Sequence, residues 1–203
     1  MDQLAVVLGM KTLFLFGFAL WFSLAVLNNA TDPGTNTYLI GQMMRMDLVK
    51  EDPNMGNGIE WRALSAPALH KGVLYTVILV QMAAAALLWI AVYKFAATWL
   101  RPPTPASIAD ATLFGNIGFG AFAAIWIVFW SGGMWFGYWM KTPQIQQVHM
   151  TLLIMSMVGF MVVNYPDQNG GSSLAAQPVA VGAAAAGGSA PQERRCSLEH
   201  RKR

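Results

Sequence analysis

Cysteine is almost missing from this chain. Its single example is Cys196, so neither an intramolecular disulfide nor a thiolate metal cluster can form. Charge is scarce too, at 11% of residues, against about 25% in an ordinary soluble domain. The deficit is concentrated. The chain has 13 Lys and Arg and 10 Asp and Glu, yet Lys11 alone falls within four stretches: Leu4–Leu27, Gly72–Tyr93, Thr112–Ser131 and Val148–Val163. Gaps of this kind exclude a soluble surface and read as membrane spans. The two-residue alternation of a transmembrane barrel is missing. So are a nucleotide-binding glycine loop, a paired-carboxylate site and a Ser-His-Asp set with supporting spacing, which weighs against an enzyme.

What fills the gaps is apolar. Hydrophobic residues make up 55% of the chain and the mean hydropathy is +0.42. Gly72–Tyr93 has 22 residues, roughly 33 Å of helix against a hydrocarbon core of about 30 Å. The first stretch is interrupted by Lys11, whose stem can snorkel toward an interface. The remainder, Thr12–Leu27, and the fourth stretch have 16 residues each and need tilt or local thinning. In lipid the backbone must be satisfied within each segment, so helices are expected. A signal peptide is the competing reading of the N-terminus, but Leu27-Asn28-Asn29-Ala30 offers no small-x-small cleavage site, which favours a retained helix. The expected fold is all-α: a four-helix transmembrane bundle over residues 1–166, with a long first loop and a disordered C-terminal tail over 167–203.

The connections carry the polar chemistry. Asn28–Lys71 is the longest, at 44 residues. Within it, Tyr38–Val49 places Leu39, Met43, Met46 and Val49 near one face of a short interfacial helix. Pro67 suits a first helical turn, where the missing amide donor costs nothing. Lys94–Asp110 reads as a short stiff connector, with Asp110 or Ser107 as the cap of the third span. Gly132–Gln147 holds Trp135, Phe136, Tyr138 and Trp139, an aromatic belt at headgroup level. From about Gln168 the chain is rich in Gly, Ala, Ser and Pro, with too little bulky apolar surface to offset ordering entropy. The net charge of +3 comes largely from its basic end, so no nucleic-acid partner is expected.

A few residues are candidates for specific chemistry. His70 and His149 begin spans that start on the same side, so they are weak candidates for a haem or metal pair; the alternative is plain helix-start residues. Met43, Met44 and Met46 could attract a soft copper ion, or simply be the apolar face of the interfacial helix. Arg62 is a candidate contact for a lipid phosphate or a partner carboxylate, or a salt-bridge partner of Glu60 or Asp47. Gln81 is expected to hydrogen-bond to a neighbouring helix. Gly115, Gly118, Gly120 and Ala124 offer small residues for close helix packing.

Three ordered strings carry a resemblance: Asn28-Asn29-Ala30-Thr31-Asp32, Trp61-Arg62-Ala63-Leu64-Ser65-Ala66-Pro67-Ala68-Leu69-His70, and Gly132-Gly133-Met134-Trp135-Phe136-Gly137-Tyr138-Trp139. Over about residues 10–166 the chain resembles the bacterial predicted small integral membrane proteins, domain of unknown function 2165. The resemblance implies four membrane helices and a place in the bacterial inner membrane, and it supplies no mechanism. It also implies acids where this chain has Gln81 and Met134, and an arginine near His149. Without those charges, a proton or cation pathway through the membrane loses its carriers. Basic residues give a divided vote on orientation: Lys11, Lys94, Arg101 and the tail face Arg45, Lys50, Arg62, Lys71 and Lys141. The resemblance decides for cytoplasmic termini. The expected function is a non-catalytic accessory or structural subunit of a larger membrane complex, with no cofactor. It would contact the bilayer and other membrane subunits, with Trp61, Arg62, His70, Trp135 and Trp139 as partner or lipid contacts. The alternatives are a small transporter or channel component, and a haem- or metal-binding redox protein.

Overall fold

The structure, a computed structural model, describes residues 3–167, and every regular element among them is helical. Helix α1 runs Gln3–Thr31, α2 Pro33–Met44, α3 Asp47–Lys50, α4 Pro67–Leu100, α5 Pro105–Phe136 and α6 Pro143–Val163, with single 3₁₀ turns at Glu60–Arg62 and Tyr138–Met140. The expected tail lies outside the described residues, apart from Asp167.

Proline punctuates the chain. Pro33, Pro67, Pro105 and Pro143 each open a helix, where a fixed φ is already helical and no amide donor is lost. Asp32 caps α2 by accepting from the Thr35 amide at 3.1 Å. Thr104 and Ser107 form a reciprocal capping box at α5. Asp110 is not the cap; it pairs instead with Lys94 across the α4–α5 turn.

Four helices are long and apolar enough to cross a membrane: α1, α4, α5 and α6. Helices α4 and α5, with 34 and 32 residues, are roughly 50 Å long and outrun a hydrocarbon core of about 30 Å. Lys94–Leu100 and Pro105–Asp110 are therefore helical extensions, and the connector shrinks to Arg101–Thr104. The helices pack in the spatial order α1, α4, α5, α6. Between α1 and α5 runs an aromatic ladder. Phe18 and Phe22 meet Phe122 at centroid distances of 5.1 and 4.8 Å, and Phe18 meets Phe119 at 5.1 Å. Ala84, Ala85, Leu88 and Ala91 of α4 close the core on the third side. The outer faces remain apolar, with Leu79, Met82, Ile127, Val128, Ile154 and Met161 exposed.

Glycine sets how close α6 comes. A Cβ on Gly159 would lie 2.2 Å from the Phe119 ring, and one on Gly115 would lie 2.7 Å from Val163. Gly118 lies against Leu88, whereas Gly120 meets only Phe160 at an ordinary 3.9 Å. The small-residue face thus works at Gly115 and Gly118 and not at Gly120.

The connection between the first two spans is not a long loop. Helix α1 continues to Thr31, and α2, α3 and the Glu60–Arg62 turn fold most of the remainder. Nor is Tyr38–Val49 a single helix. It breaks at Met46, which adopts φ 58 in the left-handed region, and α3 starts anew. That conformation costs a residue with a Cβ roughly 1–2 kcal/mol. It turns Met46 inward, so Gly41, Met44, Met46 and Val49 are buried while Leu39 is exposed. The methionines are core material of this end layer.

Lys11 does not reach out to water. It is 2% exposed. Its Nζ donates to the Tyr165 carbonyl at 2.8 Å and to Asp167 Oδ1 at 3.1 Å, and it lies 5.7 Å from the centre of the Phe95 ring. Asp167, expected to begin the tail, is thereby tied back to α1. Replacing one partner leaves the other charge buried. Asp167→Asn should destabilise the bundle by about 3 kcal/mol, and the double change Lys11→Met with Asp167→Leu should recover most of that loss. Unfolding followed by helicity in mixed detergent micelles checks both.

Candidate functional site

The ends of the bundle differ. One end carries the α4–α5 turn and the two termini of the bundle. The other carries α2, α3 and both 3₁₀ turns, joined into one layer. Within that layer, the Leu64 amide donates to the Met44 carbonyl at 2.8 Å. His70 Nε2 meets the Leu64 carbonyl at 2.8 Å; a carbonyl only accepts, so Nε2 carries the hydrogen. Gly41 makes this possible, because a Cβ there would lie 2.9 Å from His70 Nδ1. His70 is thus a buried strut between α4 and the preceding segment, and not an exposed contact.

That strut positions Trp61 and Arg62. Trp61 is 73% exposed and Trp135, near the end of α5, is 49% exposed. Their rings meet edge to face at 5.9 Å. The Arg62 guanidinium lies 5.5 Å from the Trp61 ring centre and 5.1 Å from that of Trp135. Its Nη1 reaches the Trp135 carbonyl only at 3.4 Å, and its buried Nε has no partner. Neither Glu60 nor Asp47 pairs with it: Asp47 binds Arg45 in a two-pronged contact at 3.0 and 2.6 Å. Beside Arg62 opens a cleft of about 380 Å³, lined also by Trp130, Ser131, Met134 and Trp135. These four come from consecutive turns of one face of α5. Trp139 is exposed on the second 3₁₀ turn and lies outside this cleft.

His149 sits elsewhere, in the α5–α6 seam. Its ring stacks on Trp126 at 5.8 Å and lies 5.2 Å from Phe129. The Tyr138 hydroxyl donates to the Phe129 carbonyl at 2.8 Å, so it accepts from His149 Nδ1 at 3.2 Å. Burial pushes the Tyr138 phenol up to about 12. The two histidines therefore serve different seams and share no partner. No group of three or more His, Cys, Asp or Glu able to hold a metal occurs among the described residues. Gln81 does bridge helices: Asn29 Nδ2 of α1 donates to its Oε1 at 2.8 Å. Asn116 and Asn164 pair reciprocally between α5 and the end of α6. Sequence reasoning missed this asparagine pair and the Tyr138–His149 pair. Their only signal is polarity inside or beside an apolar run, and that names no partner.

The family model for predicted small integral membrane protein (DUF2165) matches residues 7–166. The chain belongs to that family. It is thus an integral membrane protein in contact with the bilayer, and its four membrane-length helices match the four apolar stretches of the sequence. No curated protein and no solved structure matches it.

One ion pair ties the end layer to the α5–α6 turn. Lys141 Nζ binds Asp52 Oδ2 at 2.6 Å, and this bond, with the Asn54 amide, holds the Asp52 carboxyl below its ordinary range. A depressed carboxyl contributes stability above its unfolded pKa and loses it as pH falls through the folded value. Acidification should therefore loosen this tie, and Asp52→Asn should abolish the acid-side change. Emission from tryptophan as a function of pH, compared between the two proteins, measures it.

Proposed function

We propose that this protein is a non-catalytic accessory or structural subunit of a larger bacterial inner-membrane complex, works without a cofactor and has both termini in the cytoplasm. One observation carries the reading. Four pairs of polar side chains in or beside the spans are committed to one another: Lys11 to Asp167, Asn29 to Gln81, Asn116 to Asn164, and Tyr138 to His149. Buried polar groups used this way fix helix registry. A transport path through Gln81 would first have to break its bond to Asn29. Supporting this, α6 buries only Ser156, Gly159 and Val163, which leaves most of its apolar surface available to a neighbouring helix. The end layer adds Trp139, an exposed residue of the type enriched where interfaces concentrate their energy.

Two experiments test it. Extraction in mild detergent should recover the chain in a particle larger than its monomer, with defined partner subunits and no haem absorption. A partner-free monomer, or a Soret band in the purified sample, overturns the reading. Trp139→Ala should weaken partner recovery, since losing an anchor tryptophan costs about 2 kcal/mol, or roughly thirtyfold in affinity. Orientation is checked separately with Glu51→Cys in a Cys196→Ser background, because Glu51 lies exposed on the end layer. A membrane-impermeant maleimide should label it in cells with a permeable outer envelope. Labelling only after the inner membrane is opened reverses the topology.

A further inference from the structure

We infer that the cleft beside Arg62 is a binding site for the phosphodiester group of a membrane phospholipid. Among the described residues Arg62 is the only charged one lining it, so the cleft favours an anion. The guanidinium has no ion-pair partner among the described residues, unlike Arg45 and Lys141 of the same end layer. It lies between the rings of Trp61 and Trp135, at 5.5 and 5.1 Å from their centres, while only one long contact to a carbonyl uses its hydrogens. The buried Nε finds no hydrogen-bond partner within the described residues, so it is a desolvated donor that a ligand oxygen can satisfy. A phosphodiester presents two free oxygens at a spacing that a guanidinium fork matches. The Ser131 hydroxyl lines the same cleft, is exposed, and makes no hydrogen bond among the described residues, so it supplies a further donor.

The remaining wall argues for a lipid as the source of the phosphate. Trp130, Met134 and Trp135 are apolar or amphipathic and lie at the end of a membrane-spanning helix. Tryptophan settles at headgroup depth, where a lipid phosphate is delivered with its glycerol and upper acyl carbons toward the apolar side. A free phosphate gains nothing from those walls. The proposal does not rest on the subunit reading; a protein that acts alone in the bilayer would keep the same site.

The test is native mass spectrometry of the full chain released from mild detergent and titrated with short-chain phosphatidylglycerol. Diacylglycerol with the same tails and inorganic phosphate form the two comparison arms. Wild type should take up one phosphatidylglycerol preferentially, with no equivalent uptake of diacylglycerol and no displacement by millimolar inorganic phosphate. Arg62→Gln should weaken uptake roughly five- to tenfold, as expected for loss of one charge-assisted, forked contact. Arg62→Lys should fall between, because it keeps the charge and loses the fork and the stacking. Lys50→Gln, an exposed cation of the same layer, should bind as wild type. Thermal unfolding of each variant separates misfolding from lost binding, and Arg62→Lys carries the test if Arg62→Gln unfolds. Equal uptake by wild type and Arg62→Gln overturns the proposal. So does displacement by inorganic phosphate, which would mark a site for water-borne anions. Loss of a co-purifying protein in Arg62→Gln with lipid uptake unchanged also overturns it, since Arg62 would then meet a protein carboxylate.

Discussion

Inside a bilayer a polar side chain has no water to fall back on, so each one must find its partner within the protein or leave a desolvated group behind. The bundle is organised by that requirement. Apolar side chains alone could slide along one another, because lipid tails compete equally for them. The pairs of Lys11 with Asp167, Asn29 with Gln81 and Asn116 with Asn164 fix the depth of α1 against α4 and of α6 against α1 and α5. The aromatic ladder of Phe18, Phe22, Phe119 and Phe122 then packs in a register that those bonds have already set.

Close approach is the second condition. Gly159 and Gly115 let α6 lie against Phe119 and α5 so tightly that a methyl group would collide with a neighbour. The asparagine pair at the end of α6 is short for the same reason: without the glycines the helices would stand further apart. At the opposite end, Gly41 plays the equivalent part by admitting His70 under α2. Because that imidazole anchors Leu64, which is also bonded to Met44, the segment carrying Trp61 and Arg62 is held against the last turns of α5. A rigid guanidinium beside an open cleft is thus a consequence of helix packing two elements away.

Much of this was legible in the sequence, for particular reasons. Four apolar runs, holding Lys11 as their single charge, announce helices because helices satisfy their own backbone in lipid. Pro67 marks a helix start, and Gln81 announces an interhelical bond since a polar group at that depth needs one. The 44-residue connection was harder. Read by periodicity it yields one interfacial helix with Leu39 and Met43 on the buried face, whereas the chain turns at Met46 and buries Met44 instead. A left-handed methionine carries no sequence signature; its cost is met only by the burial it brings about. Lys11 was misplaced for a related reason. Its nearest water lay along its own helix, but its partner lay more than 150 positions away in sequence.

The sequence by itself determined the solvent of this protein, the number and type of its spans, the proline start of α4 and its family. These follow from local properties: the run of apolar residues, the missing amide of proline, and motifs read in order. Only the tertiary structure decided which polar groups meet. It separated His70 from His149, sealed Lys11 onto Asp167, and left Arg62 between two indoles with no carboxylate. Those outcomes depend on how far apart helices stand and how they are rotated, which is set by side chains distant in sequence and therefore has no local signal to read.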